Sequence, residues 1–192
     1  TLKAGIANTV GHASEVSEYA TALATGAAKS ALGNSGVILA QYLQGMAQGL
    51  SQTETPNQCS PSEWQQSLEQ AAVVARESVL TPAEGTMLTI ADAAANVPAQ
   101  SDFQKYYQAV QIAVRAAVIE TQNLLPELVA AEVVDSGALA LSFMHDSVAL
   151  SFGVTASPLQ INSRKLVATS YSGPAFELMF SVIIFNCLSL SM

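Results

Sequence analysis

Positive charge is scarce in this 192-residue sequence: Lys and Arg together number 7, against 15 Asp and Glu, for a formal net charge of −8. No basic run exists, which argues against a nucleic-acid partner, because such binding neutralises many phosphates with Lys and Arg. Cysteine is nearly absent. Cys59 and Cys187 lie far apart without metal-ligand spacing, so two free thiols in a cytoplasmic protein are expected rather than a disulfide or a metal site. Aromatic residues make up only 6% while half of the residues are apolar, which fits a core of closely packed, alanine-rich helices. Long hydrophobic runs are lacking too. Leu178 to Met192 is uncharged but about five residues short of a usual membrane span, and neither a basic n-region nor an apolar h-region follows Thr1. No membrane span and no secretion signal are expected.

What is present is helical periodicity. Leu39, Tyr42, Leu43, Met46 and Leu50 fall on one helix face directly after a small-residue turn, Gly33-Asn34-Ser35-Gly36. The helix is expected to start at about Asn34 or Ser35, both good N-cap types. Its first backbone N–H groups have no intrahelical partner, and glycines let a ligand come close; together these form a recipe for holding an anion such as phosphate.

Thr1 to Val10 reads as the tail of a helix, and Ser14 to about Ser30 as a second, with Val16, Tyr19, Ala20, Leu23, Ala24 and Ala27 on one face. After a polar loop, Ser60-Pro61-Ser62-Glu63 is a strong helix start: serine cap, proline in the first turn, glutamate three after the cap. A break at Leu80 to Thr86 precedes a short helix to about Asn96. Asp102 is suited to cap the next, whose core face is Phe103, Tyr106, Tyr107, Val110, Val114, Ala117 and Val118. Pro126 opens a short helix through Glu132, and Val133-Val134-Asp135-Ser136-Gly137 opens a last one towards Phe152. The expected class is all-α, an antiparallel helical barrel or bundle with short connections. A polar linker (154–174) follows, then a β-branched, aromatic stretch from Phe176 to Phe185 that reads as a strand in the start of another domain or a truncated tail (175–192). His12 and His145 are expected to be structural, Asp92 to lie on a helix surface, Asp146 to be a solvated charge, and Tyr106 and Tyr107 to be core and rim.

Three turns now stand in order: Gly33-Asn34-Ser35-Gly36-Val37-Ile38-Leu39, Pro82-Ala83-Glu84-Gly85-Thr86-Met87-Leu88-Thr89, and Leu125-Pro126-Glu127-Leu128 through Val133-Val134-Asp135-Ser136-Gly137. Together they resemble the nucleotide-binding domain of the dihydroxyacetone kinase family, nearest the branch that includes bacterial fatty acid kinase, over roughly residues 1–153. The resemblance implies a barrel of about eight antiparallel helices that binds ATP or ADP at one rim. It implies that Gly33, Asn34, Ser35 and Gly36 cradle the phosphates, that Thr86, Met87 and Leu88 border the nucleotide, and that Asp135, Ser136 and Gly137 form a turn on the adenine side. The implied reaction is Mg-ATP-dependent phosphorylation of a hydroxyl or carboxyl acceptor carried by a dihydroxyacetone-binding or fatty-acid-binding partner subunit. A homodimer is also compatible with the resemblance.

Some features depart from the family pattern. The aspartate-rich segment that holds Mg²⁺ in the family precedes the part that Thr1 resembles, and Asn8, His12 and Glu15 do not replace its clustered carboxylates. The first one or two helices of the barrel are likewise not matched. No metal ligands and no catalytic residues are therefore expected in this stretch, and the fragment alone is expected to be inactive. Leu32 stands where arginine is common, and Ala138 and Ala140 where glycine is, so positive φ at either alanine would mean strain. The main alternative is a non-catalytic helical interaction or regulatory module with the same fold. A third reading places a lipid-like molecule in the barrel interior.

Overall fold

The computed structural model describes residues 1–10, 15–55, 58–155, 159 and 161, and these form an all-α protein. Eight helices follow one another: α1 (Leu2–Thr9), α2 (Val16–Lys29), α3 (Gly33–Leu50), α4 (Pro61–Glu77), α5 (Met87–Ala95), α6 (Phe103–Glu120), α7 (Pro126–Ala131) and α8 (Ser136–Ser151). A single 3-10 turn, Thr121–Asn123, links α6 to α7. No strand occurs among the described residues. The strand expected from Phe176 to Phe185, nearly all of the expected linker, His12 and Cys187 lie outside them.

Local chemistry sets most of the boundaries. Ser60 and Glu63 form a reciprocal capping box, Ser60 Oγ accepting from Glu63 N at 3.2 Å and Glu63 Oε2 from Ser60 N at 2.7 Å. The Ser60 hydroxyl, which donates to Glu63 Oε2 at 2.6 Å, and then the Ser60 and Glu54 N–H groups hold the Glu63 carboxyl below its ordinary pKa. Asp102 caps α6 by accepting from Lys105 N at 2.8 Å. Pro126 stands in the first turn of α7, where its missing N–H costs nothing.

Packing runs from each helix to the next through α6, and α8 returns against α6 and α5. Neighbours are antiparallel. Along α1 and α2, Thr1 meets Ser30, and Asn8 Nδ2 donates to Ala22 O at 2.8 Å. Along α6 and α8, the Phe103 ring stacks on Phe152 while Thr121, just past α6, bonds Asp135. Between α3 and α4 the backbones come very close. A Cβ on Gly45 would stand 2.7 Å from Ala71 Cα, and one on Gly49 would stand 2.5 Å from Ser67 Cα. In a close-packed interior such contacts admit hydrogen and nothing larger. Small residues therefore let helices approach, and Tyr42, Leu43, Leu68, Leu88, Ile90, Tyr106, Tyr107 and Leu141 fill the space between them.

The expected core-and-rim split of the tyrosine pair is corrected here: Tyr106 and Tyr107 are both wholly buried. Tyr107 Oη accepts from Trp64 Nε1 at 2.7 Å, and Tyr42 Oη lies 3.2 Å from His145 Nε2. His145 is buried within the helical core. Asp146 is not a solvated charge. Arg115 holds it through two bonds (Nε to Oδ1 3.0 Å, Nη2 to Oδ2 2.7 Å), with Gln111 adding a third, and both ionic side chains are largely shielded from solvent. Asp92 likewise is not simply helix surface, because it pairs with Arg76 of α4.

Candidate functional site

The candidate site is built from the first turns of α3, α5 and α8. Leu32, extended at φ −131° and ψ 134°, is the N-cap of α3, and the helix begins at Gly33 with no side chain capping it. The expectation that Asn34 or Ser35 caps this helix is thus corrected. Gly33 adopts φ +66°, a conformation that glycine enters without strain and that already turns the chain, so Asn34 and Ser35 fall inside the first turn. Their side chains are exposed, and nothing lies within 4 Å of where a Cβ on Gly33 would stand. The first N–H groups of α3 therefore lack a side-chain cap, and they lie at the positive end of the helix dipole.

α5 begins after a second special glycine. Gly85 is at φ +83°, and a Cβ there would stand 2.8 Å from Leu124 Cβ, so any side chain would clash. Thr86 caps the helix, its Oγ1 accepting from Leu88 N at 3.3 Å and donating to Ala83 O at 2.8 Å. Met87 and Leu88 are buried, so their side chains belong to the core and only their backbone can border a ligand.

α8 is capped by Asp135, whose Oδ1 accepts from Ala138 N at 2.6 Å. Asp135 N in turn donates to Oγ1 of the buried Thr121 at 3.0 Å. Ala138 and Ala140 are both helical, and Glu132 is the only non-glycine residue with positive φ among those described, so the anticipated strain does not arise.

These three turns meet at Gly137. A Cβ on Gly137 would stand 3.4 Å from Ser35 Oγ, 3.4 Å from Met87 Cε and 3.2 Å from Asp135 Oδ1. Segments about 50 residues apart in sequence are thereby drawn to one place, with Asn34, Ser35 and Ser136 exposed and Gly36, Thr86 and Asp135 half-buried around it. Gly36 is backed by Thr1, whose Oγ1 lies 2.9 Å from the position of a Cβ there. Such an arrangement can bind an anion through backbone donors from several helix starts. It offers no metal cluster: among the described residues no three His, Cys, Asp or Glu side chains group closely enough to hold an ion.

A polar relay supports the middle turn. Arg76, near the end of α4, pairs with Asp92 of α5 and with Glu84 Oε1 at 3.0 Å. Glu84 Oε2 accepts from Thr89 Oγ1 at 2.8 Å, and Thr89 Oγ1 accepts from Gly85 N at 2.9 Å. The Thr89 bond, then Arg76, keep the Glu84 carboxyl below its ordinary pKa, and the bond to Asp92 raises that of Arg76. Arg76 and Thr89 were not singled out by sequence reasoning. The helical spacing of Arg76 from nearby apolar residues carried no sign of acidic partners on the next helix and its preceding turn.

Comparison with known proteins adds independent findings. A family model described as the DAK2 domain matches residues 1–149. Protein YloV of Bacillus subtilis is 31% identical over 137 residues, covering 69% of this chain and 24% of its own length. An uncharacterized protein of Staphylococcus haemolyticus is 30% identical over 156 residues, covering 79% of this chain and 27% of its own length. One from Mycoplasma genitalium is 34% identical over 131 residues, covering 63% and 23% respectively. The chain thus spans about a quarter of the length of the curated relatives it matches.

Proposed function

Because the chain belongs to the DAK2 domain family, we propose that it is the nucleotide-binding part of a dihydroxyacetone kinase-like or fatty acid kinase-like phosphotransferase. The observation that carries this reading is the meeting of three helix starts at Gly137. Phosphates of ATP or ADP would sit against the uncapped first turn of α3, held by the backbone of Gly33, Asn34, Ser35 and Gly36. Thr86 and the backbone of Met87 and Leu88 would border the nucleotide, and Asp135, Ser136 and Gly137 would flank the adenine. ATP, when bound, supplies the phosphoryl group for a hydroxyl or carboxyl acceptor brought by a partner subunit. Phosphoryl transfer also relies on metal ions to neutralise the phosphate oxygens. The described residues lack a carboxylate cluster suited to Mg²⁺, so no step is assigned through the metal. The same observation favours a second reading, a nucleotide-binding module without catalysis. We place the end of this domain at Gly153, just past α8, with residues 154–174 as linker and 175–192 as the start of a following unit.

Calorimetric titration with ADP and ATP, with and without Mg²⁺, tests the reading. Micromolar binding is expected. An affinity that Mg²⁺ barely changes is the expected result and supports a phosphate cradle at Gly33 to Gly36 that acts without a metal site. No binding by a sample that circular dichroism shows to be folded overturns both.

A further inference from the structure

We propose that Thr89 is a positioning residue that fixes the Gly85–Thr86 turn for nucleotide binding, an assignment that rests on the function proposed above. The segment from Thr81 to Glu84 is exposed, and apolar contact with the turn is confined to Gly85, which is seated against Leu124 and Leu125. Gly85, free of Cβ, leaves the chain many conformations. What holds it is hydrogen bonding. One hydroxyl, Thr89 Oγ1, uses both of its capacities at once, accepting from Gly85 N at 2.9 Å and donating to Glu84 Oε2 at 2.8 Å.

Three consequences follow from that hydroxyl's place one turn inside α5. It ties the turn to the helix whose free N–H groups the turn must aim, and it gives the buried Gly85 N–H its acceptor. It also turns the Glu84 carboxylate towards Arg76, which lies 3.0 Å from Oε1. An untethered carboxylate beside the start of α5 could swing towards an incoming polyphosphate; the hydroxyl and the guanidinium hold it in one place on the Arg76 side, although Asp92 and Glu84 share that single cation and the trio keeps one net negative charge. Arg76 is itself anchored to Asp92, so the relay runs from the body of the helix pair out to the turn.

Thr89→Val keeps the shape and removes the hydroxyl; Thr89→Ser keeps the hydroxyl. Calorimetry with ADP on the full chain is expected to show Thr89→Val binding about tenfold more weakly, the effect of losing about one hydrogen bond's worth of alignment, with Thr89→Ser restoring most of the affinity. Amide hydrogen exchange at Gly85 in the nucleotide-free proteins gives a second readout, expected to be faster in Thr89→Val than in the parent or in Thr89→Ser. Equal ADP affinity in the parent and Thr89→Val overturns the assignment. So does unchanged exchange at Gly85, even where binding falls, because a general loss of packing would then be responsible. If the parent itself binds no ADP, the nucleotide reading fails first and the role given to Thr89 falls with it.

Discussion

α8 serves two regions of opposite character, and their difference explains how one helix can be both structural and available. At its first turn Ser136 is exposed and Asp135 half-buried above the buried Gly137, and the neighbouring start of α3 has no side-chain cap. Some two turns further on, His145 lies in the interior, where polar atoms answer mostly to one another: Tyr42 to His145, and Trp64 to Tyr107. Rings reinforce this set, Tyr107 stacking on Phe152 with centroids 5.4 Å apart. Burial keeps both tyrosine hydroxyls protonated, raising their pKa, and holds His145 neutral by lowering its pKa to about 4 despite the opposing charge of Asp146. The interior therefore turns polar side chains into packing that specifies how helices fit, while the surface turns leave backbone donors free for a ligand.

Breaking the interior should cost stability and little intrinsic affinity. Tyr107→Ala removes a wholly buried ring, leaves the Trp64 N–H without its acceptor, and is expected to lower unfolding free energy by about 3–5 kcal/mol in urea titrations. Next in size is a pH effect. The folded pKa of His145, about 4, lies below the ordinary 6.5, so the unfolded chain binds more protons between those values. Stability is therefore expected to fall as pH drops from about 6.5 towards 4, by at most about 3 kcal/mol. His145→Gln, which still offers Tyr42 a hydrogen-bonding partner but cannot titrate, should flatten that stretch of the curve.

Changes at the surface turns should do the reverse. Asp135→Ala removes the cap of α8 and is expected to cost about 1 kcal/mol in stability. Comparable in stability is Gly33→Ala, with free space around it and only its positive φ against it, at about 1–2 kcal/mol. Yet Gly33→Ala is expected to weaken ADP binding about tenfold in calorimetry, because it stiffens the turn that must close on the phosphates. Equal losses of affinity in Gly33→Ala and Tyr107→Ala, compared per folded molecule, would erase the distinction between the two regions.

The sequence made helix starts legible wherever a cap acts over two or three residues. Ser60, Thr86, Asp102 and Asp135 all stand where such starts were expected, since the hydrogen bond that defines them is local. The start of α3 was displaced because a glycine at positive φ replaced a side-chain cap, and backbone angles are not written in residue type. The charged residues were the least legible. Asp146 finds Arg115 31 positions away, and Asp92 finds Arg76 16 positions away, so only packing reveals either pair. The alanine-rich composition pointed to close helices, but the seam at Gly45 and Gly49 needed the partner backbone to be seen. Of the candidate site, the three turns were recognisable one by one; their meeting at Gly137 is a property of the fold.

α7 has no buried residue and packs chiefly on the short 3-10 turn before it, ending at Glu132 in a left-handed conformation. Its consequence is one of time. Amides in α4 and α6, locked among buried side chains, exchange with solvent only when the whole domain opens, whereas those of α7 need only a local opening whose free energy is a fraction of that total. Deuterium should therefore enter residues 126–131 long before it enters the helices on either side, and among the described helices a protease given a brief exposure should cut there first.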